Sequence, residues 1–236
     1  VDRSKKMLQS SAKLQFWEVQ QLDEVYPYIQ QLNTIAQLKS DSIGIAKNIN
    51  LEKLLNLGEM GNTAVGNVKL SDTAVVNKII NSTIAKKARP TDLQHTQFMW
   101  AYKPETKTPD ALILYAIRSN AANKAPVDGA VESANIGYDQ LGRVVVDMQM
   151  DSKGAKEWKT MTEKNVGKPV AVSLDNIVYT APNVNEVIPN GRTQISGTFT
   201  QQEAQDLVDV LGAGKLPASA KVVQSEVVGL SLIHIS

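Results

Sequence analysis

The stretch "GRVVVDMQMDSKGAKEWKTMTEKNVGKPVAVSLDNIVYTAP", residues 142–182, changes its hydrophobic period twice, and this constrains the fold most. Val144, Val146, Met148 and Met150 alternate with Arg143, Val145, Asp147 and Gln149, the period of a strand. Ala155, Trp158, Met161 or Thr162, and Val166 then recur at helical spacing between an Asp151 or Ser152 cap and Gly167. "PVAVSLD" and "IVYTAP" flank Asp175–Asn176, a two-residue pair that tolerates positive φ and so closes a hairpin. Strand, helix and hairpin in such close order exclude all-α and all-β folds and point to α+β architecture.

The flanks extend the pattern. In "AKLQFWEV", Leu14, Phe16 and Glu18 share one face and Gln15, Trp17 and Val19 the other, so both faces of this first strand pack on something. From about Gln20 to Lys87 the chain reads as short helices rich in Gln, Asn and Lys, an insertion. Its last segment is expected to take Ser71 as N-cap and Val75, Ile79 and Ile80 as its apolar face. "TQFMWAYK" and "DALILYAIRS" read as strands, and "NAANKAPVDGAVESA" as a polar loop. Asn190–Gly191 is expected to close a second hairpin between "VNEVIP" and "RTQISGTF". Thr200 and Glu203 have the spacing of a capping box for a helix that stops at "GAG", and "AKVVQSEVVG" reads as a closing strand.

Composition removes several function classes. Lys and Arg number 25 against 24 Asp and Glu, a net charge of +1, which gives no footprint for nucleic acid or an anionic membrane surface. The absence of cysteine removes disulfides, thiolate metal sites and cysteine nucleophiles together. No apolar run reaches the roughly 18–20 residues of a membrane span, and "VDRSKKMLQS" lacks the apolar core of a signal peptide. The ending "LSLIHIS", Leu230–Ser236, has no turn or cap and reads as a non-native tail, which leaves His95 as the one histidine of interest beside His234.

Catalytic patterns are weak. Asp147 and Asp151 beside Met148 and Met150 lack the oxygen set of a calcium loop, and Asp151 is expected to be a cap. His95 has no nucleophile elbow to serve. Asp147, Asp175 and Glu186 could meet as paired carboxylates in a cleft, although Asp175 is better explained by its hairpin turn. "GKPV" and "LGAGKLP" lack the spacing of a phosphate loop. Tyr179, Pro182, Val184 and Phe199 could offer an extended peptide a mixed apolar surface, or could equally be core packing of a small sheet.

From Gly154 to Gly229 the chain resembles the large extracytoplasmic domain of the SecD protein-export family. The resemblance is carried by Gly154–Lys156, Gly167–Asp175, Val178–Pro182, Asn190–Gly197, Glu203–Leu211 and Ala213–Pro217. "LQSSAKLQFWEV", "HTQFMWAYK" and "LYAIR" are similar to parts of the same family, including its fused SecD–SecF type. The resemblance implies a ferredoxin-like base built from split segments, residues 1–19 and 198–229, with an inserted α+β head over residues 20–197. It also implies an internal fragment of an inner-membrane protein, this part lying on the periplasmic side. No enzyme activity and no cofactor are expected. The expected partners are an unfolded preprotein and, through membrane parts outside this sequence, SecF and the SecYEG channel. The expected work is support of export driven by the proton-motive force, with hinges at Val19–Gln21, chiefly Val19 and Gln20, and at Ser196–Thr198, chiefly Gly197 and Thr198. A docking module for partner subunits and a cleft hydrolase using Asp147, Asp175 or Glu186 are the alternatives.

Overall fold

Strand β1 (Leu14–Gln20) is buried on both faces, as its Phe16 and Trp17 on opposite sides require. The computed structural model describes residues 13–213 apart from Met60, Asn62, Thr106 and Thr198. The chain divides into two units, one holding Glu18–Lys124, the other the described residues up to Trp17 and from Ala125 onward. These divisions, at 17/18 and 124/125, lie elsewhere than the expected boundaries at 19/20 and 197/198.

In the Glu18–Lys124 unit, α1 (Leu22–Leu38) places Leu22, Val25, Tyr28, Ile29, Leu32 and Ala36 on one buried stripe at helical spacing. Its first turn is closed by the Gln21 N–H donating to Glu24 Oε2 at 2.8 Å. Short helices α2 (Ser40–Ile43) and α3 (Leu51–Leu55) follow. Then comes β2 (Ala64–Lys69), a strand inside the segment expected to hold only short helices joined by loops. "AVGNVK" carries only two β-branched residues, so its signal is weak. Tertiary context forms the strand, because Val65 and Val68 are buried and Gly66 lies where any Cβ would run into the Leu55 carbonyl.

Helix α4 (Thr73–Asn81) also departs from expectation. A 3₁₀ turn over Leu70–Asp72 occupies the segment around Ser71, so Asp72, not Ser71, stands at the N-cap. The buried face is Ala74, Val76, Ile79 and Ile80, with Val75 only partly covered. Helix α5 (Thr83–Lys87) is capped by Ser82, whose Oγ accepts from the Ala85 N–H at 3.1 Å. Strands β3 (Thr96–Trp100) and β4 (Ala111–Arg118) form as expected, and β4 pairs antiparallel with β2, with β3 and with Glu18–Gln20.

The second unit begins, after the crossing at Ala125, with β5 (Val127–Asp128), which pairs Gln15 and Phe16 of β1. Strands β6 (Val131–Tyr138) and β7 (Val144–Met150) follow, so the segment expected to be a polar loop holds β5 and the start of β6. The small and polar residues of "VESANIGY" hide its strand character, and pairing with the valine-rich β7 supplies it. Helix α6 (Ser152–Lys164) is capped by Asp151, whose Oδ1 accepts from the Gly154 N–H at 2.7 Å. A Cβ at Gly154 would collide with Ala130, so this helix start needs a glycine.

Strands β8 (Val170–Leu174) and β9 (Ile177–Thr180) make the expected hairpin, with φ of 50° at Asp175 and 66° at Asn176. The second expected hairpin does not form. β10 (Arg192–Ser196) pairs with β7, giving a three-stranded order β10-β7-β6, and "VNEVIP" contributes only an isolated bridge from Val184 to Val166, next to one from the preceding Asn183 to Pro169. Helix α7 (Gln201–Ala213) opens with the expected capping box: Thr200 N–H donates to Glu203 Oε2 at 3.0 Å and Glu203 N–H to Thr200 Oγ1 at 3.2 Å. The fold is mixed α/β with antiparallel sheets. The closing strand expected at 220–229 and the tail Leu230–Ser236 lie outside the described residues.

Candidate functional site

The second unit contains a cleft of about 400 Å³. Its floor is Phe16 of β1, Met148 of β7, Trp158 of α6, and Val170 and Val172 of β8. Phe16 and Trp158 meet edge to face with ring centroids 5.0 Å apart, and the Trp158 Nε1–H donates to Thr193 Oγ1 at 2.9 Å. That bond fixes α6 to β10 and leaves the indole's apolar ring facing the cleft. One wall is the segment from Pro182 to Glu186 and the other is the whole of β10. Val184 is pinned on both sides of its peptide: its N–H donates to the Lys168 carbonyl at 2.9 Å and its carbonyl accepts from the Gly167 N–H at 2.8 Å. The rim carries one exposed acid, Glu186, and one exposed base, Arg192.

Of the four residues expected to contact peptide, the cleft brings two together. Pro182 is half-buried on its wall, and its carbonyl accepts from the Val170 N–H at 3.0 Å. Val184 is buried and lines the same wall. Phe199 instead borders a separate recess of about 540 Å³ with Asp139, Arg143, Val144 and Gly197. Tyr179 is half-buried on β9 against the unit's apolar core. The sequence signal that could have found the remaining lining residues is the alternation along β7 and β8. Their convergence with β10 needed the topology, because β10 was read as the partner of "VNEVIP".

The carboxylates do not assemble into paired catalytic acids. Asp147 accepts from Gln194 Nε2 at 3.1 Å on the exposed face of β7. Asp175 accepts from the Lys13 backbone N–H at 2.9 Å in its turn. Glu186 alone of the three lines the cleft. No group of three His, Cys, Asp or Glu side chains suited to a metal ion occurs among the described residues. His95 serves its loop: Nδ1 lies 3.0 Å from Asn123 Oδ1, and its carbonyl accepts from both the N–H and the Oγ–H of Ser119.

Of the expected hinge residues, Val19 and Gln20 lie buried within β1, in register with Ile117 and Ala116, and Gln20 Oε1 accepts from Thr96 Oγ1 at 2.6 Å. Gly197 is exposed after β10, and Thr198 is outside the described residues.

Residues 118–218 match the SecDF P1 head subdomain, the segment that contributes most of this cleft. A protein translocase subunit SecD of Rhodothermus marinus is 35% identical over 161 residues, which cover 68% of this chain and 25% of that one. The chain belongs to the SecD/SecDF family. A SecD subunit of Syntrophobacter fumaroxidans is 47% identical over 103 residues, 43% of this chain and 19% of that protein. The chain thus spans about a quarter or less of these SecD relatives. Among solved structures, a membrane component SecDF that enhances protein export is 22% identical, with a TM-score of 0.39, over 92% of this chain and 69% of that one. A translocon-associated SecDF from Thermus has 20% identity and a TM-score of 0.36, covering 88% of this chain and 29% of that one. Among the described residues, no helix is long and apolar enough to cross a membrane.

Proposed function

We propose that this chain is the periplasmic part of a Sec translocon accessory subunit that engages an emerging preprotein and supports export driven by the proton-motive force. The observation that carries the reading is the match of residues 118–218 to the SecDF P1 head, in the segment that builds most of an apolar cleft. A translocating chain presents changing sequence, so its handler needs weak, sequence-tolerant contact, and an apolar floor with one acid and one base on the rim suits that demand. Pro182 and Val184 form the contact wall, with Tyr179 and Phe199 as flanking contacts.

In the same reading, residues 1–19 and 198–229 make a ferredoxin-like base and 20–197 an inserted head, with hinges at Val19–Gln20 and Gly197–Thr198. SecF and the SecYEG channel are its partners through membrane segments of the full-length protein, which lies in the bacterial inner membrane, and the chain acts without catalysis of its own. The test is a photocrosslinking residue at Pro182 and at Tyr179 of the full-length membrane protein during arrested export. Adducts with several different export substrates are expected. Adducts with one fixed subunit would make this a docking module, and none with a preprotein would overturn the reading.

A further inference from the structure

We propose that the free edge of β10 takes an extended polypeptide as an added strand, laying alternate side chains of that polypeptide on the apolar floor of the cleft. The inference rests on the polypeptide-engaging reading above and specifies how the contact is made.

The first observation is that all five residues of β10, Arg192 to Ser196, line the cleft. Side chains alternate between the faces of a strand, so five consecutive residues border one cavity only if the strand presents its edge to it. The burial pattern agrees: Thr193 and Ile195 turn inward, while Arg192, Gln194 and Ser196 are exposed.

The second is the register. Met150 N–H donates to the Gly191 carbonyl at 3.0 Å, so Gly191 and Met150 form a hydrogen-bonded pair of the antiparallel ladder. Stepping two residues at a time makes Thr193 with Met148 and Ile195 with Val146 the next such pairs. The backbone groups of Arg192, Gln194 and Ser196 therefore point away from β7. In the sheet order β10-β7-β6, no strand among the described residues takes them up. The Arg192 N–H is used locally, by Asn190 Oδ1 at 3.2 Å. The N–H groups of Gln194 and Ser196 have no hydrogen-bond partner among the described residues.

The third is the occupant's chemistry. A row of N–H and C=O groups at strand spacing is complemented along its length by another extended backbone, and a compact apolar ligand would leave it unmet. On the facing wall, Val184 already spends its N–H and C=O on Lys168 and Gly167, and Pro182 its C=O on Val170, so these groups are not offered to β10. Phe16, Met148, Val170 and Val172 then receive apolar side chains without selecting a sequence.

The probe is a blocked ten-residue peptide alternating Val and Thr with a Lys near each end, titrated onto the full chain and followed by anisotropy. Two further peptides carry N-methyl groups on alternate residues, in the two opposite registers. The parent is expected to bind, one N-methyl register to weaken binding tenfold or more, and the other to weaken it less than threefold. On the protein side, Gln194→Pro removes an outward N–H at an edge position where proline is tolerated. It is expected to bind at least fivefold more weakly than Gln194→Ala, which removes the same side chain and keeps the N–H. Equal affinity for both N-methyl registers and the parent would overturn strand addition while leaving polypeptide engagement standing. Failure of the parent peptide to bind also overturns it, including where another segment of the chain already fills the edge. The N-methyl series keeps the test decisive even if the proline variant does not fold. Failure of preprotein crosslinking with these peptide results intact would instead sink the functional reading alone.

Discussion

The Glu18–Lys124 unit and the unit bearing the cleft treat their polar groups in opposite ways. In the first, the unmet polar groups are enclosed: Gln20 Nε2, Asn67 Oδ1 and Arg89 Nε are buried without a hydrogen-bond partner among the described residues, beside satisfied groups such as the Tyr28 O–H, which donates to the Ala85 carbonyl at 2.8 Å. In the second, a strand edge is left open beside an apolar floor. The family match falls on the open unit, apart from residues 118–124, and not on the closed one. A closed core can be built from many sequences of the right pattern and volume. An open edge next to a specific floor is harder to reach by pattern alone, which is why the motifs cluster there.

The largest effect that could break this comparison is in the closed core. Leu32 is fully buried on α1, and Leu32→Ala is expected to cost about 2–5 kcal/mol in urea unfolding. A cost below about 1 kcal/mol would mean that the cavity collapses freely and that the core is not closed as described.

Next is Tyr115, half-buried on β4, whose hydroxyl is pushed up to about 12, first by burial and then by the Glu105 carboxylate. Its unfolded-state value is about 10, so the unfolded chain ionises first as pH rises. The stability this group contributes is complete below about pH 10 and is lost on the way to about pH 12, by at most about 2–3 kcal/mol. Tyr115→Phe should flatten that part of the stability-versus-pH curve. A variant that loses stability over the same range as the parent would show that Tyr115 titrates as an exposed tyrosine.

In the open unit, Trp158→Phe keeps an aromatic ring near Phe16 and removes the donor to Thr193 Oγ1. Leaving that buried hydroxyl without its indole partner should cost about 1–3 kcal/mol. Trp158→Phe with Thr193→Val removes both partners and should recover part of the loss. Recovery to the parent's stability would mean that the bond is there for position rather than for stability.

Sequence legibility divides along the same line. The cap at Asp151, the capping box at Thr200 and Glu203, the Asp175–Asn176 turn and the two-sided burial of β1 were all readable, because each depends on a local spacing or a positive φ. The misread elements, β2, β6 and the false hairpin at Asn190–Gly191, have weak or misleading local signals and are fixed by distant partners. Gly191 does take a positive φ of 72°, yet it delivers β10 to β7 rather than back along its own approach. On one wall of the cleft, Pro182 and Val184 were singled out from residue type. The opposite wall was not, since it exists only once β10 crosses to β7.

The smallest effect concerns α7, which packs on β6 and β7 of the open unit. Thr200→Ala removes one half of the capping box, the acceptor for the Glu203 N–H, and should cost about 1 kcal/mol. Glu203→Gln keeps an acceptor for the Thr200 N–H and should cost less, because only the charge at the helix's positive end is lost. Hydrogen exchange reads this directly: first-turn amides of α7 should lose protection in Thr200→Ala while those of α1, capped by Gln21 and Glu24, do not change. Loss of protection in both helices together would mean that the two units unfold as one, and the contrast between a closed and an open unit would then describe their surfaces rather than their stability.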